Sequence, residues 1–107
     1  MKDVDFRGDS LDQIRSFPTE VQSDIGYQLY QVQIGEEPDS WKPMKTIGPG
    51  VKEIRIAATG NQYRAIYITK IGDTVYILHA FQKKTQKTSK KDIDLAKKRM
   101  KELKESK

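Results

Sequence analysis

Val51-Lys52-Glu53-Ile54-Arg55-Ile56-Ala57-Ala58, Tyr63-Arg64-Ala65-Ile66-Tyr67-Ile68-Thr69-Lys70 and Thr74-Val75-Tyr76-Ile77-Leu78-His79-Ala80-Phe81 are three runs rich in β-branched and aromatic side chains. Thr59-Gly60-Asn61-Gln62 and Ile71-Gly72-Asp73 between them are turn sequences, so the runs read as an antiparallel meander of two hairpins. The last run then passes abruptly into Gln82-Lys83-Lys84-Thr85-Gln86-Lys87-Thr88-Ser89-Lys90-Lys91, a basic tract. Clustered lysines at a strand end aim fixed positive charge at one place, and phosphate is the usual reason to do so.

Upstream, Val4 and Phe6 alternate with Asp3, Asp5 and Arg7 at the period of a short half-buried strand, which Gly8-Asp9-Ser10 breaks. Ser10 with Gln13 fits a capping box, and Leu11, Ile14 and Phe17 recur every three residues, predicting a helix over 11–16 that Pro18 ends. Val21, Ile25, Leu29 and Val32 form one apolar stripe, predicting a second helix over 18–33 closed by Gly35. Residues 35–50 carry three prolines and three glycines and read as one long loop without regular structure. Its Trp41, Met44 and Ile47 are most simply hydrophobic pins on the core, with a partner-binding role for Trp41 as the alternative. At the far end Ser89 with Asp92 is a second capping box, and Ile93, Ala96, Met100 and Leu103 make the narrow apolar stripe of a basic helix over about 89–105.

The expected architecture is therefore α+β. A strand and two helices pack on one face of a twisted, mostly antiparallel sheet, the other face stays partly open, and a basic helix follows, all in one domain spanning 1–107. The net charge of +5 is uneven: residues 83–107 hold eleven Lys or Arg against four acids, hence +7, leaving −2 for the first 82. That division suits an anion-binding module or a domain with a solvated helical tail. With no cysteine and one histidine, thiol nucleophiles and sulfur-ligated metals are excluded, and neither a zinc site nor any other cofactor is expected. No apolar run approaches a membrane span and the N-terminus lacks a secretory h-region, so a cytoplasmic protein with no membrane partner is expected.

This element order, with Trp41-Lys42-Pro43-Met44-Lys45, Glu53-Ile54-Arg55-Ile56, Tyr63-Arg64-Ala65-Ile66-Tyr67 and above all Leu78-His79-Ala80-Phe81-Gln82-Lys83-Lys84-Thr85, resembles the RelE/ParE superfamily of bacterial toxins, and within it the phage-derived HigB-type branch. The resemblance covers almost the whole chain. It implies the toxin of a type II toxin–antitoxin system that cuts mRNA on the translating ribosome. It also implies a small helix-turn-helix antitoxin as partner, ribosome and mRNA as targets, and a possible higher-order complex with the antitoxin. ParE-like members act instead on DNA gyrase, and a noncatalytic nucleic-acid-binding regulatory module is the third reading.

RNA can be cut without metal when the ribose 2′-oxygen is aligned on its own phosphate, so a protein needs only positioning and charge. Arg64 and Arg55 are the expected phosphate clamp, since guanidinium is permanently charged and bidentate. Lys83 and Lys84 can bind phosphate or give a proton to the leaving oxygen. His79 is the one residue of the type whose unperturbed pKa lies near neutrality, an acid or base if it faces a groove and a hydrogen-bonded core residue if it faces helices. Alternation puts it with Val75, Ile77 and Phe81, and the opposite face is nearly as apolar, so both readings stay open. Lys87, Lys90 and Lys91 are expected backbone contacts, joined by Lys70, with Tyr67 as a base-stacking platform. Each of the strand arginines has an ordinary reading as an ion-pair partner. The expected test is Arg64→Ala or Lys84→Ala, relieving growth inhibition without unfolding. Relatives with a tyrosine near the chain end differ from this chain, which has no aromatic residue after 83, and Glu53 stands where some relatives have a basic residue.

Overall fold

The computed structural model describes residues 1–106. Its elements run β1 (Asp3–Phe6), α1 (Ser10–Arg15), α2 (Thr19–Gln33), β2 (Trp41–Pro43), β3 (Lys52–Ala58), β4 (Asn61–Ile68), β5 (Thr74–Lys83) and α3 (Lys90–Glu105). The five strands form one sheet in the order β1-β5-β4-β3-β2, with β1 parallel to β5 and every other pair antiparallel. The meander, both N-terminal helices and the terminal helix lie where the hydrophobic periods predict them.

Both faces of this sheet are covered, which departs from the expected open face. On one side Ile14, Phe17, Val21, Ile25, Leu29 and Val32 of the α1–α2 segment pack on Ile54, Ile56, Tyr63, Ala65, Tyr67, Val75, Ile77 and Ala80. On the other, Ala96, Met100 and Leu103 of α3 pack on Ile66, Ile68, Tyr76 and Leu78, with Met44, Ile47 and Val51 completing the cluster. Burying Met100 and Leu103 contributes about 1.5–3 kcal/mol each, enough to hold a lysine-rich helix against the sheet. Runs that are apolar at consecutive positions, as in residues 65–68 of β4 and 75–78 of β5, require cover on both faces.

A bulge decides which face each β5 side chain meets. Ile66 pairs with His79 and Tyr67 with Ile77, so Leu78 is the extra residue. Val75 and Ile77 therefore face α1 and α2, whereas Leu78, His79 and Phe81 face the α3 side. Unbroken alternation would have kept His79 with Val75 and Ile77. The Leu78 carbonyl, displaced from the ladder, accepts a hydrogen bond from Arg99 Nη1 at 3.0 Å.

Three local expectations change. Ser10 is not a cap: Asp9 holds that position without a side-chain cap bond, and buried Ser10 Oγ donates to the Ile77 carbonyl at 3.3 Å. The 35–50 loop contains the three-residue strand β2, which pairs Trp41 with Ile54 at the sheet edge, where Pro43 is tolerated because no further strand needs its missing N–H. Met44 and Ile47 are buried as expected, while Trp41 is half-buried with Lys52 Nζ 4.5 Å above its ring. At α3 Ser89 is the cap, its Oγ accepting from the Asp92 amide at 3.2 Å and donating to Asp92 Oδ2 at 2.6 Å.

Candidate functional site

Antiparallel pairing sets Arg55 directly opposite Arg64, and Gln62 opposite Lys83. Because residues two apart share a face, Glu53, Arg55, Arg64 and Lys83 all project to the α3 side at the end of the sheet where β5 leaves it. Two like charges directly opposite one another destabilise a sheet, so the arginine pair needs a counter-charge. Glu53 supplies it. It is fully buried, its Oε1 lies 3.5 Å from Arg64 Nε, and its Oε2 accepts from Thr88 Oγ1 at 3.1 Å. Glu53 Oε1 and Arg64 Nε make no hydrogen bond, so their interaction is Coulombic. Arg64 Nη1 donates to the Tyr63 carbonyl at 3.0 Å and to Gln62 Oε1 at 3.4 Å.

The cluster is graded in exposure. Arg64 is 3% exposed, Lys83 is half-buried and Arg55 is exposed. Burial pulls the Arg64 guanidinium below its ordinary value, opposed by Glu53 and reinforced by Arg55. The Lys83 ammonium is likewise held below the usual lysine range, first by burial and then by Arg64, with Glu53 opposing and Lys42 and Arg55 adding to the depression. Arg55 and Lys83 are thus the solvent-facing cations of the cluster, above a buried arginine paired with Glu53. Arg64 joins the cluster as foundation rather than as exposed clamp.

His79 does not join it. It is 5% exposed, stacked on Phe81 at 5.1 Å, with Nε2 2.7 Å from Asp92 Oδ1 and Nδ1 3.4 Å from Arg99 Nη1. Arg99 also reaches Asp9 Oδ1 at 2.7 Å, and this bond holds the Asp9 carboxyl below its usual range. The histidine therefore belongs to a polar strap joining β5, α3 and the start of α1, which is the hydrogen-bonded, packed alternative of the two that the sequence left open. Gly8, at φ +55°, is part of the same strap: a Cβ there would collide with the Arg99 guanidinium.

The remaining expected residues scatter. Lys84 is exposed and lines two depressions, one with Gln13, Ser16, Phe17, Tyr63 and Lys91 and one with Lys83, Ser89 and Asp92. Lys87 lines a second groove with Lys42, Lys45 and Thr88, and Lys90 is exposed at the start of α3. Tyr67 is 1% exposed in the α1–α2 core, its hydroxyl buried without a hydrogen-bond partner and pushed well above the usual tyrosine range by burial, so it offers no face for a base. Lys70 lies past the opposite end of β4, whose last residue Ile68 is already roughly 20 Å along the ladder from the level of Lys83. Sequence reading missed the Glu53–Arg64 pair, Thr88, and the Asp92–His79–Arg99 strap. Only a Glu and an Arg at inward-facing positions of consecutive strands hinted at the first.

A family model described as phage-derived protein Gp49-like matches residues 12–101. The chain belongs to this family. The Gp49-like chain also shares the fold of E. coli RelE. RelE in the intact RelBE toxin–antitoxin complex aligns with a TM-score of 0.64 and 17% identity, over 79% of this chain and 100% of that one. The isolated E. coli RelE toxin aligns with a TM-score of 0.63 and 17% identity, over 80% and 89%. At that identity the likeness carries the fold. No curated protein sequence matches the chain. Among the described residues, no helix is long and apolar enough to cross a membrane.

Proposed function

We propose that this protein is the toxin of a toxin–antitoxin pair, of the HigB-type branch, and that it cuts mRNA on the translating ribosome without a metal. The observation that carries this reading is the graded cationic cluster: exposed Arg55, half-buried Lys83 and buried Arg64 locked on Glu53. Its support from likeness is the RelE fold, found in a toxin crystallised with its antitoxin.

In this mechanism Arg55 and Lys83 bind the scissile phosphate. The 2′-oxygen attacks phosphorus, forming a 2′,3′-cyclic phosphate and releasing its proton to water, while the bond from phosphorus to the 5′-oxygen breaks. Lys83, whose proton is loosened by burial and by Arg64, donates it to the leaving oxygen. Arg64 adds fixed positive potential to the dianionic transition state from beneath. The ribosome aligns the 2′-oxygen, so the chain needs no base of its own.

The test mixes purified protein with translating ribosomes and a defined mRNA and maps new 5′ ends. Ribosome-dependent ends that vanish with Arg55→Ala and with Lys83→Gln are expected. Absence of cleavage by folded wild-type protein refutes the nuclease reading and favours gyrase inhibition. Arg64→Ala is a poor probe, because it strands Glu53 in the core, and Lys84→Ala should leave cleavage intact.

A further inference from the structure

Met1, Tyr27, Tyr30 and Ile34 are the exposed large hydrophobic side chains among the described residues, at 85%, 56%, 49% and 49% exposure. They are not scattered. Tyr27 and Tyr30 of α2 and its C-cap residue Ile34 follow one another at spacings of three and four, which at about 100° per residue sets them within a ~60° arc opposite the buried Val21, Ile25, Leu29 and Val32. Ile34 and Met1 line the same surface depression, so the fourth side chain extends the stripe. Single exposed apolar residues are ordinary, but a contiguous row marks an interaction surface.

Gly26 sits at the edge of this stripe in mid-helix, where glycine costs roughly 0.5–1 kcal/mol relative to alanine. A Cβ there would meet nothing within 4 Å, so the fold does not require its absence. What the missing side chain does create is a notch beside Tyr27 and Tyr30, where a second backbone can approach closely.

Charge selects the occupant. Residues 19–39 carry five acids and no Lys or Arg, whereas the rest of the chain is +10. Hydrogen bonds from Gln28 and Gln31 hold the Asp39 carboxyl below its usual range, which keeps it anionic, while Glu37 is engaged by Lys52. A second copy is a poor fit: patch against patch would set the same five acids of residues 19–39 against each other, and its basic helix α3 has Ala96, Met100 and Leu103 turned into the core.

We propose that the α2 patch docks a different protein through a helix whose apolar stripe is bordered by Lys and Arg. The patch lies on the helical side of the sheet while Arg55 and Lys83 project from the other, so docking leaves the cationic cluster uncovered. The probe is a fluorescent 18-residue peptide with leucines at helical period and lysines elsewhere, measured by anisotropy against a scrambled peptide of the same composition. Wild-type protein should bind the amphipathic peptide at least ~10-fold more tightly than the scrambled one. Tyr27→Lys/Tyr30→Lys, with an unchanged thermal melt, should erase that difference, and Arg55→Ala should not. Equal binding of the two peptides, or unchanged affinity in the double variant, would overturn the proposal. So would sedimentation showing a wild-type dimer that the tyrosine substitutions convert to monomer, since the patch would then serve self-association.

Discussion

Glu53→Gln removes a buried charge while keeping the shape of the side chain, and the structure allows its cost to be worked out. Both partners are sealed from solvent, at 0% exposure for Glu53 and 3% for Arg64, with Oε1 and Nε 3.5 Å apart. Unit charges at that separation interact by about 4–5 kcal/mol at an effective dielectric near 20. Deleting one partner of a buried pair costs about 3–5 kcal/mol because the other is left uncompensated. Here the orphan would be Arg64, already opposed by Arg55. A chain of this length has a total stability of roughly 5–15 kcal/mol, so the variant should sit near the edge of folding. Urea unfolding followed by far-UV circular dichroism should show a loss of ~3 kcal/mol or more, and the thermal midpoint should fall by roughly 12 °C or more. Glu53→Gln/Arg64→Met, which removes both charges, should recover at least half of the loss. A single-variant loss under ~1 kcal/mol, or a double variant equal to the sum of its singles, would refute the claim that the two side chains form one electrostatic unit.

Three further outcomes are expected. Lys83 has a folded-state pKa below the unfolded lysine value near 10.5, so its charge opposes folding at neutral pH and that cost disappears as pH rises through the folded value. Wild-type stability should therefore rise by less than ~1 kcal/mol over that window, and Lys83→Gln, melted across pH 7 to about 10.5, should show no such rise. His79→Ala, which cuts the strap to Asp92, should cost about 1–3 kcal/mol in urea while the folded fraction cleaves at the wild-type rate; abolished cleavage would return His79 to the chemistry. Leu103→Ala opens the α3 core and should cost about 2–5 kcal/mol by thermal melt, with exposed Lys104→Ala as a control near zero.

Periodicity alone locates most of the fold. The stripes of α2 and α3 and the three meander runs are legible because buried faces repeat at 3.6 or 2 residues, and the turn residues of Gly60 and Gly72 separate the runs. The doubly apolar character of β4 and β5 also contained the answer that both faces are covered, although a lysine-rich last helix disguised its role as a core element. The three-residue strand β2 was not legible, since three residues carry no period and edge position excuses Pro43.

The chemistry divides along the same line. Residue types in the sequence determined that this chain presents clustered cations at the end of its last strand, and that histidine chemistry, if any, rests on His79. Which cations converge was decided by register: Arg55 faces Arg64, Lys83 pairs two residues further along, and Lys84 lies beyond the last paired residue of β5. One extra residue, Leu78, flips His79 from the α1–α2 side to the α3 side, where Asp92 and Arg99 take both its ring nitrogens. A period of two has no memory of a one-residue slip, so side-chain direction beyond a bulge is a property of pairing and not of the string of residues. Composition names the charges, and only the folded sheet sets which of them are buried, paired or exposed.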